Sequence, residues 1–351
     1  MNELGSEIKR QARRLGFGVV GITRPDPGRH ASFYRDWLSR SFHAEMGYMA
    51  RPDAVAKRAD PRLIMPETRS ILVVGMNYYQ GEPSPPGALH GRVSRYAWGA
   101  DYHDIVLTKL HQLARWIDRE TVEPLTWRAY VDTGPVLERG LAQRAGLGWI
   151  GKNSSLISPR RGSYFFLGEL LLDLALEPDT PGRADQCGCC TACVDACPTG
   201  ALDAPHTVDA RQCISYLTIE HRGAIPIPLR GRLGDRVFGC DTCQDVCPWN
   251  RRFARPTDVD ALRAIHPTLD LTAVLGLDED AFRARFQKTP FWRAGRAGLL
   301  RNAAVVLGNL GDRAALPALQ AAQADPHPLV REHAAWAVER VTGGRRRVDK
   351  A

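Results

Sequence analysis

The runs CGCCTACVDACP (187–198) and CDTCQDVCP (240–248) decide how the rest of the chain is read, and with Cys213 between them they hold all nine cysteines. Cys187, Cys190, Cys193 and Cys197 follow the spacing C-x2-C-x2-C-x3-C-P, and Cys240, Cys243 and Cys247 repeat its second part. This is the two-cluster ferredoxin signature: three close thiolates hold one [4Fe–4S] cube, and the cysteine before the proline crosses to the other. The second run is one thiolate short, and Cys213 is the candidate outside both runs. With Cys189 set aside as a non-ligand, eight cysteines remain for two cubes of four ligands. Cys187, Cys190, Cys193 and Cys247 are assigned to one cluster, and Cys197, Cys213, Cys240 and Cys243 to the other.

Zinc and disulfides are the competing uses of such cysteines. Zinc takes paired C-x2-C units or mixes in histidine, and the longer run ending in proline serves it no purpose. Disulfides call for a secreted chain, whereas the start MNELGSEIKRQARRLGF lacks the apolar core of a signal peptide. Reduced thiols in the cytoplasm are therefore expected. No run of eighteen apolar residues is present, so no membrane-spanning segment is expected. A length of 351 residues suits about two or three domains. The net charge of +8 is compatible with a polyanionic partner without requiring one.

Ahead of the clusters the pattern is α/β. Leu4, Ile8, Ala12 and Leu15 lie at helical spacing, Gly16 stops the helix, and residues 17–22 read as a strand. Residues 46–62 are polar and basic. SILVVGM (70–76) is a continuous apolar run expected mid-sheet and buried on both faces. A Pro/Gly-rich loop covers 81–91. The dense cluster Arg95-Tyr-Ala-Trp-Gly-Ala-Asp101-Tyr-His103 suits either a pocket wall or a solvated helix entry with Asp101 and His103 as caps. Residues 129–131 end a strand and 136–145 read as a helix, which makes Asp132 an N-terminal cap unless it carries chemistry. The glycine-rich loop GLGWIGKNSS (146–155), with Lys152, could hold an anion or an amide edge. Residues 158–162 read as a hairpin turn, and 164–176 as apolar strand and helix.

After Pro256 the composition shifts to Ala, Leu and Arg, and LLRNAA (299–304) recurs as LVREHA (329–334), the pattern of a short HEAT-like helical array. The expected architecture is an α/β (α+β) domain over 1–178, a ferredoxin-like two-cluster domain over 179–256 and an α-helical HEAT-like repeat over 257–345. The tail 343–350 is expected to be solvated. Clusters alone store and relay electrons, so the large domain before them points to an oxidoreductase whose acceptor lies there. A non-enzymatic electron-transfer protein is the alternative.

Six stretches in this order resemble the epoxyqueuosine reductases: RYAWGADYH (95–103), VDTGPVLER (131–139), GWIGKN (148–153), the CGCCTACVDACPTGAL run, CISYLTIEHRG (213–223) and CDTCQDVCPWN (240–250). One departure is Trp98, where a basic residue is expected. The resemblance implies a cobalamin-dependent enzyme, fed by the two clusters and an external low-potential electron donor. Its expected reaction turns epoxyqueuosine at the wobble position of a tRNA anticodon stem-loop into queuosine. It implies Asp132 as proton donor, with its pKa raised by burial against the corrin, and Asp101 and His103 as groups supporting it. It implies cobalamin contacts from Arg58, Arg95, Asp132, Lys152, Asn153, Ser155, Ser158 and Ser215, and tRNA contacts from His221 and Arg222. A monomer is expected. A reductive-dehalogenase-like corrinoid reductase would use the same two cofactors, but such enzymes usually carry an export signal.

Overall fold

The computed structural model describes residues 2–26, 28–83, 85–182 and 185–343; apart from Gly343, the tail expected to be solvated lies outside them. Helix α1 (Asn2–Arg14) buries Ile8 and Ala12, one turn apart, and Gly16 ends it at φ +94°. Strand β1 (Val19–Thr23) follows, and the basic stretch after it forms α2 (His30–Ser39), α3 (Gly47–Ala50) and α4 (Pro52–Ala59). The apolar run is strand β2 (Ser70–Asn77). A strand absent from the sequence reading, β3 (His90–Val93), rises out of the Pro/Gly-rich segment. Then come α5 (Tyr102–Glu120), β4 (Trp127–Tyr130), α6 (Glu138–Arg144), β5 (Trp149–Ile150), β6 (Leu156–Ile157) and β7 (Phe165–Leu172). The expected helix after β7 does not form; the strand runs to Leu172 and leads into irregular chain.

The main sheet has the order β1-β2-β7-β4, with every pair antiparallel. Strand β2 stands in its interior, and successive side chains point to opposite faces. Leu72, Val74 and Met76 meet α1 and α5 through Ile8, Ala12, Val106, Leu110 and Ile117; Ile71 and Val73 meet α6 through Leu141, Ala142 and Ala145. Helices on both faces explain the unbroken apolar run in an antiparallel strand, since each buried aliphatic side chain contributes about 1.5–3 kcal/mol. A Cβ on Gly21 would lie 2.0 Å from the Ala145 carbonyl oxygen, so glycine there lets the end of α6 rest on β1.

The second half is built from short helices around the cysteines: α7 (Ala192–Asp195), α8 (Ile214–Ile219), α9 (Ile227–Arg230), α10 (Thr242–Asp245) and α11 (Pro248–Phe253), with strand β8 (Arg236–Phe238) between α9 and α10. Strand β9 (Thr268–Asp270) and α12 (Leu271–Leu275), α13 (Glu279–Phe286), α14 (Gly295–Leu310), α15 (Leu316–Ala322) and α16 (Pro328–Thr342) close the chain. Strand β3 pairs parallel with β8 and antiparallel with β9, so one small sheet draws on all three expected domains. Val93, Ala97 and Trp98 accordingly pack with Phe238, Phe291 and Leu300 in the C-terminal core. Helix α14 is its spine: the fully buried Arg301 donates to the carbonyls of Leu217, His221 and Gly223, and Asn302 to those of Thr218 and Val237. Among the described residues no helix is long and apolar enough to cross a membrane.

Candidate active site

Asp132 lies just after β4, in an irregular turn that runs to Leu137 before α6 begins at Glu138. It is therefore not the cap of that helix, as the sequence reading had it. Its backbone adopts φ +58°, a left-handed conformation that costs energy for a residue with a Cβ. Glu138 holds it there: the Asp132 backbone N–H donates to Glu138 Oε1 at 2.7 Å. The helix starts two residues later than its apolar pattern suggests because this side chain reaches back to the turn.

The Asp132 carboxylate faces outward, with 62% of its side chain exposed. Behind it Asp101 caps α5, accepting from the His103 N–H at 3.0 Å and from His103 Nδ1 at 2.7 Å, while His103 Nε2 lies 3.4 Å from Asp132 Oδ2. The imidazole is fixed between two carboxylates, and its neighbour Tyr102 stacks on it and on Phe166 at 4.1 and 4.0 Å. Burial disfavours charge on His103, yet the two carboxylates prevail and push its pKa up to about 9. Burial also pushes Asp132 upward, but the His103 hydrogen bond and charge, with Tyr102 and Arg293, hold it below the usual carboxylate range. For the protein chain alone the direction is downward, because the charges of His103 and Arg293 stabilise the carboxylate. Tyr48 and Arg293 lie within electrostatic reach of Asp132, and Tyr48 and Trp292 leave 42% and 45% of their surfaces exposed.

The cysteines fold back on one another in two groups. Cys193 lies within electrostatic reach of Cys190 and Cys247, and Cys213 of Cys240 and Cys197, while Cys243 lies near Cys240 and Cys213 and more weakly near Cys193. Cys189 is exposed. Burial raises the thiols of Cys187, Cys193, Cys213, Cys240 and Cys243. Crowded, buried thiols become thiolates only against a concentrated positive charge, which iron supplies. The backbone N–H groups of Ser215 and Tyr216 at the start of α8 donate toward Cys213, and Ala201 N–H lies 3.3 Å from Cys197 Sγ. Trp149 is 2% exposed and its indole N–H has no oxygen or nitrogen partner. It packs against Cys187 and Cys247, with Trp249 edge-on at 4.7 Å, so its N–H points into sulfur chemistry. An indole donor aimed at the Cys187 sulfur fits a cluster thiolate that accepts it.

Several residues expected to face cobalamin are committed elsewhere. Arg95 is 2% exposed and spans Asp241 at 3.2 Å, Asp245 at 2.5 Å, Glu82 at 3.1 Å and the Gly81 carbonyl at 3.0 Å. It locks the segment before α5 to α10 and the second cysteine run through two of its three carboxylate partners, Asp241 and Asp245, which lie about 150 residues downstream. Lys152 donates to the carbonyls of Gly188 and Cys190, Asn153 to that of Cys243, and Ser158 is buried at the hairpin bridge to Gly162. The N–H groups of Gly151 and Ser154 are used within the turn itself. Ser155 and Ser215 stay half-exposed, the latter beside Cys213. Arg58 lines a cleft with His30, Leu137, Gly140 and Arg144, and its Nη1 is buried without a partner.

The two expected tRNA contacts are also taken. His221 bonds to Glu45 and to the Ala224 carbonyl at 3.0 Å each, and Arg222 donates to the carbonyls of Ala294 and Arg293 at 2.9 and 2.6 Å. They brace the wall that carries Trp292 and Arg293. Removing the Arg95 guanidinium while the nearly buried Asp241 carboxylate remains is expected to cost up to about 3–5 kcal/mol. Arg95→Met should therefore lower the Tm of the cluster-loaded protein in a thermal melt; an unchanged Tm would show that the network is not structural.

Known proteins are similar to this chain over nearly its whole length. The family model for epoxyqueuosine reductase QueG, DUF1730, matches residues 58–133, and that for a 4Fe-4S double cluster binding domain matches 186–250. The chain is 45% identical over 344 residues to the epoxyqueuosine reductase of Pseudomonas aeruginosa, covering 96% of this chain and 94% of that one. It is 42% identical over 345 residues to that of Escherichia coli, covering 96% and 89%. Among solved structures it is similar to an epoxyqueuosine reductase with an epoxyqueuosine-modified tRNA-Tyr stem loop, with a TM-score of 0.88, 32% identity, and coverage of 97% of this chain and 90% of that one.

Proposed function

The chain belongs to the epoxyqueuosine reductase family, and we propose on that premise that it removes the epoxide oxygen of epoxyqueuosine at the tRNA wobble position, leaving queuosine. The observation that carries the chemistry is the outward-facing Asp132 backed by His103 and Asp101 at hydrogen-bond range. When bound, two [4Fe–4S] clusters supply single electrons, and cobalamin supplies a low-potential cobalt reductant.

What the chain itself does follows from its residues. Cys187, Cys190, Cys193 and Cys247 would hold one cluster and Cys197, Cys213, Cys240 and Cys243 the other, a division supported by which thiols lie within reach of one another. Trp149 would donate to sulfur at the first. Asp132 delivers a proton to the departing oxygen and recovers it from the His103 imidazolium, whose charge Asp101 stabilises. Arg95, Lys152 and Asn153 already use donors within the protein, and among the residues expected at cobalamin the unpartnered Arg58 Nη1 best suits a corrin amide or phosphate oxygen. Tyr48 and Trp292 offer faces on which unstacked RNA bases can lie, with Arg293 beside them and basic surface supplying salt-sensitive phosphate contacts. Helices α14–α16 form the HEAT-like end, here a buttress for this wall. The work is divided among an acid-bearing part (1–178), a relay (179–256) and the buttress (257–345), in a cytoplasmic monomer served by an external low-potential donor.

An anaerobic assay tests this. Protein reconstituted with iron, sulfide and cobalamin is given a low-potential donor and RNA bearing epoxyqueuosine, and the nucleosides are weighed. Loss of one oxygen that depends on cobalamin is the expected result; an unchanged nucleoside from protein holding all cofactors would overturn the reading.

A further inference from the structure

Glu169 interrupts the apolar strand FFLGELLL at the heart of the main sheet. It is 0% exposed, and neither carboxyl oxygen has a hydrogen-bond partner. Across the strand pair it stands opposite Tyr130, two residues before Asp132. Glu138 lies within electrostatic reach of both acids and is tied to the Asp132 backbone. The charged groups facing Glu138 are Asp132, Glu169, Arg139 and His103, while Tyr96, Tyr102 and Arg293 face Asp132. Arg139 spends one end of its guanidinium on the Ser154 carbonyl at 2.6 Å. Burial of Glu169 and the mutual repulsion of these carboxyl groups disfavour ionising all three.

The reaction proposed above sets the demand, and this inference rests on it. Two C–O bonds break and a C=C bond forms, two electrons arrive from the external donor, and two protons are taken up as the oxygen leaves as water. Asp101, His103 and Asp132 together carry one mobile proton. The exposed face of Asp132 is where substrate must sit, so an occupied site closes that route to water. We propose that Glu138 and Glu169 are an inner proton store behind Asp132, positioning residues that return the second proton to it from within the protein. Burial supports this: it pushes Glu169 well above the usual range, and with the Asp132 charge it brings Glu138 to about 7.

The test begins with the resting holoenzyme at neutral pH, by infrared spectroscopy of the carboxylic-acid C=O stretch. A protonated-carboxyl band is expected, removed by Glu169→Gln, and displaced by Asp132→Asn as its charge disappears. In single turnover, Glu138→Gln is expected to slow queuosine formation on the order of tenfold or more and to change the pH profile, with Glu138→Asp restoring part of the rate. Absence of a band assignable to either glutamate overturns the store. So does a wild-type rate and pH profile in Glu138→Gln, which would leave the acids merely structural. Should Glu169→Gln fail to take up its clusters, Glu138→Gln carries the test alone. Because the band is read without substrate, failure of the store and failure of the epoxide reaction are separable.

Discussion

Asp132→Asn is expected to lower queuosine formation by about 10²–10⁴-fold with both clusters and RNA affinity retained, the range that loss of a general acid produces. The amide keeps the shape of the side chain and the turn at φ +58°, but it can neither accept the His103 proton nor pass it on. The measurement is single-turnover conversion by mass spectrometry, beside iron content and RNA binding. Full turnover in a loaded Asp132→Asn protein would remove the residue from the mechanism. The wild-type rate has its own signature. His103 is held charged up to about 9, so the proton supply behind Asp132 persists through neutral pH and is lost as pH rises through that value. Activity is therefore expected to decline on the alkaline side.

Cys213→Ser should be as damaging for a different reason. It is the ligand outside both runs, set at the start of α8 with two backbone N–H groups donating toward its sulfur. Its loss is expected to reduce bound iron to about half, since one cube loses a corner while the other keeps its four thiolates. Turnover should vanish with it. Cys189→Ser, at an exposed position, should change neither. Iron analysis and electron paramagnetic resonance of the two variants decide the assignment, and the opposite pattern would exchange the roles of Cys213 and Cys189.

What could be read from the sequence was what is local. The cysteine runs carry their chemistry in their spacing, and β2 announced an interior position by an unbroken apolar run. Asp132 came from family resemblance, because a lone aspartate before a glycine and a proline looks like any helix cap. The side chains hardest to read are those whose partners are remote. Arg95 reads as a pocket cation until Asp241 and Asp245 are brought to it, and His221 and Arg222 read as an RNA-facing pair until Glu45 and the carbonyls of residues 293 and 294 occupy them. Strand β3 was hidden because four residues in a Pro/Gly-rich stretch become a strand only when β8 and β9 flank them. Glu169 was overlooked although its signal was plain, an acid inside an otherwise apolar strand.

The grip of α14 on the carbonyls of residues 217–223 makes the distal helices something other than a detachable appendage. Through Arg301 and Asn302, α14 reaches back about 80 residues to hold the backbone that follows Cys213. On the assignment above each cube draws a thiolate from the second cysteine run, so neither ligand set is complete before that run has emerged, and the residues after Cys213 gain their fixed backbone only when α14 follows. Maturation of the second cube is on this view a late event, coupled to the arrival of α14.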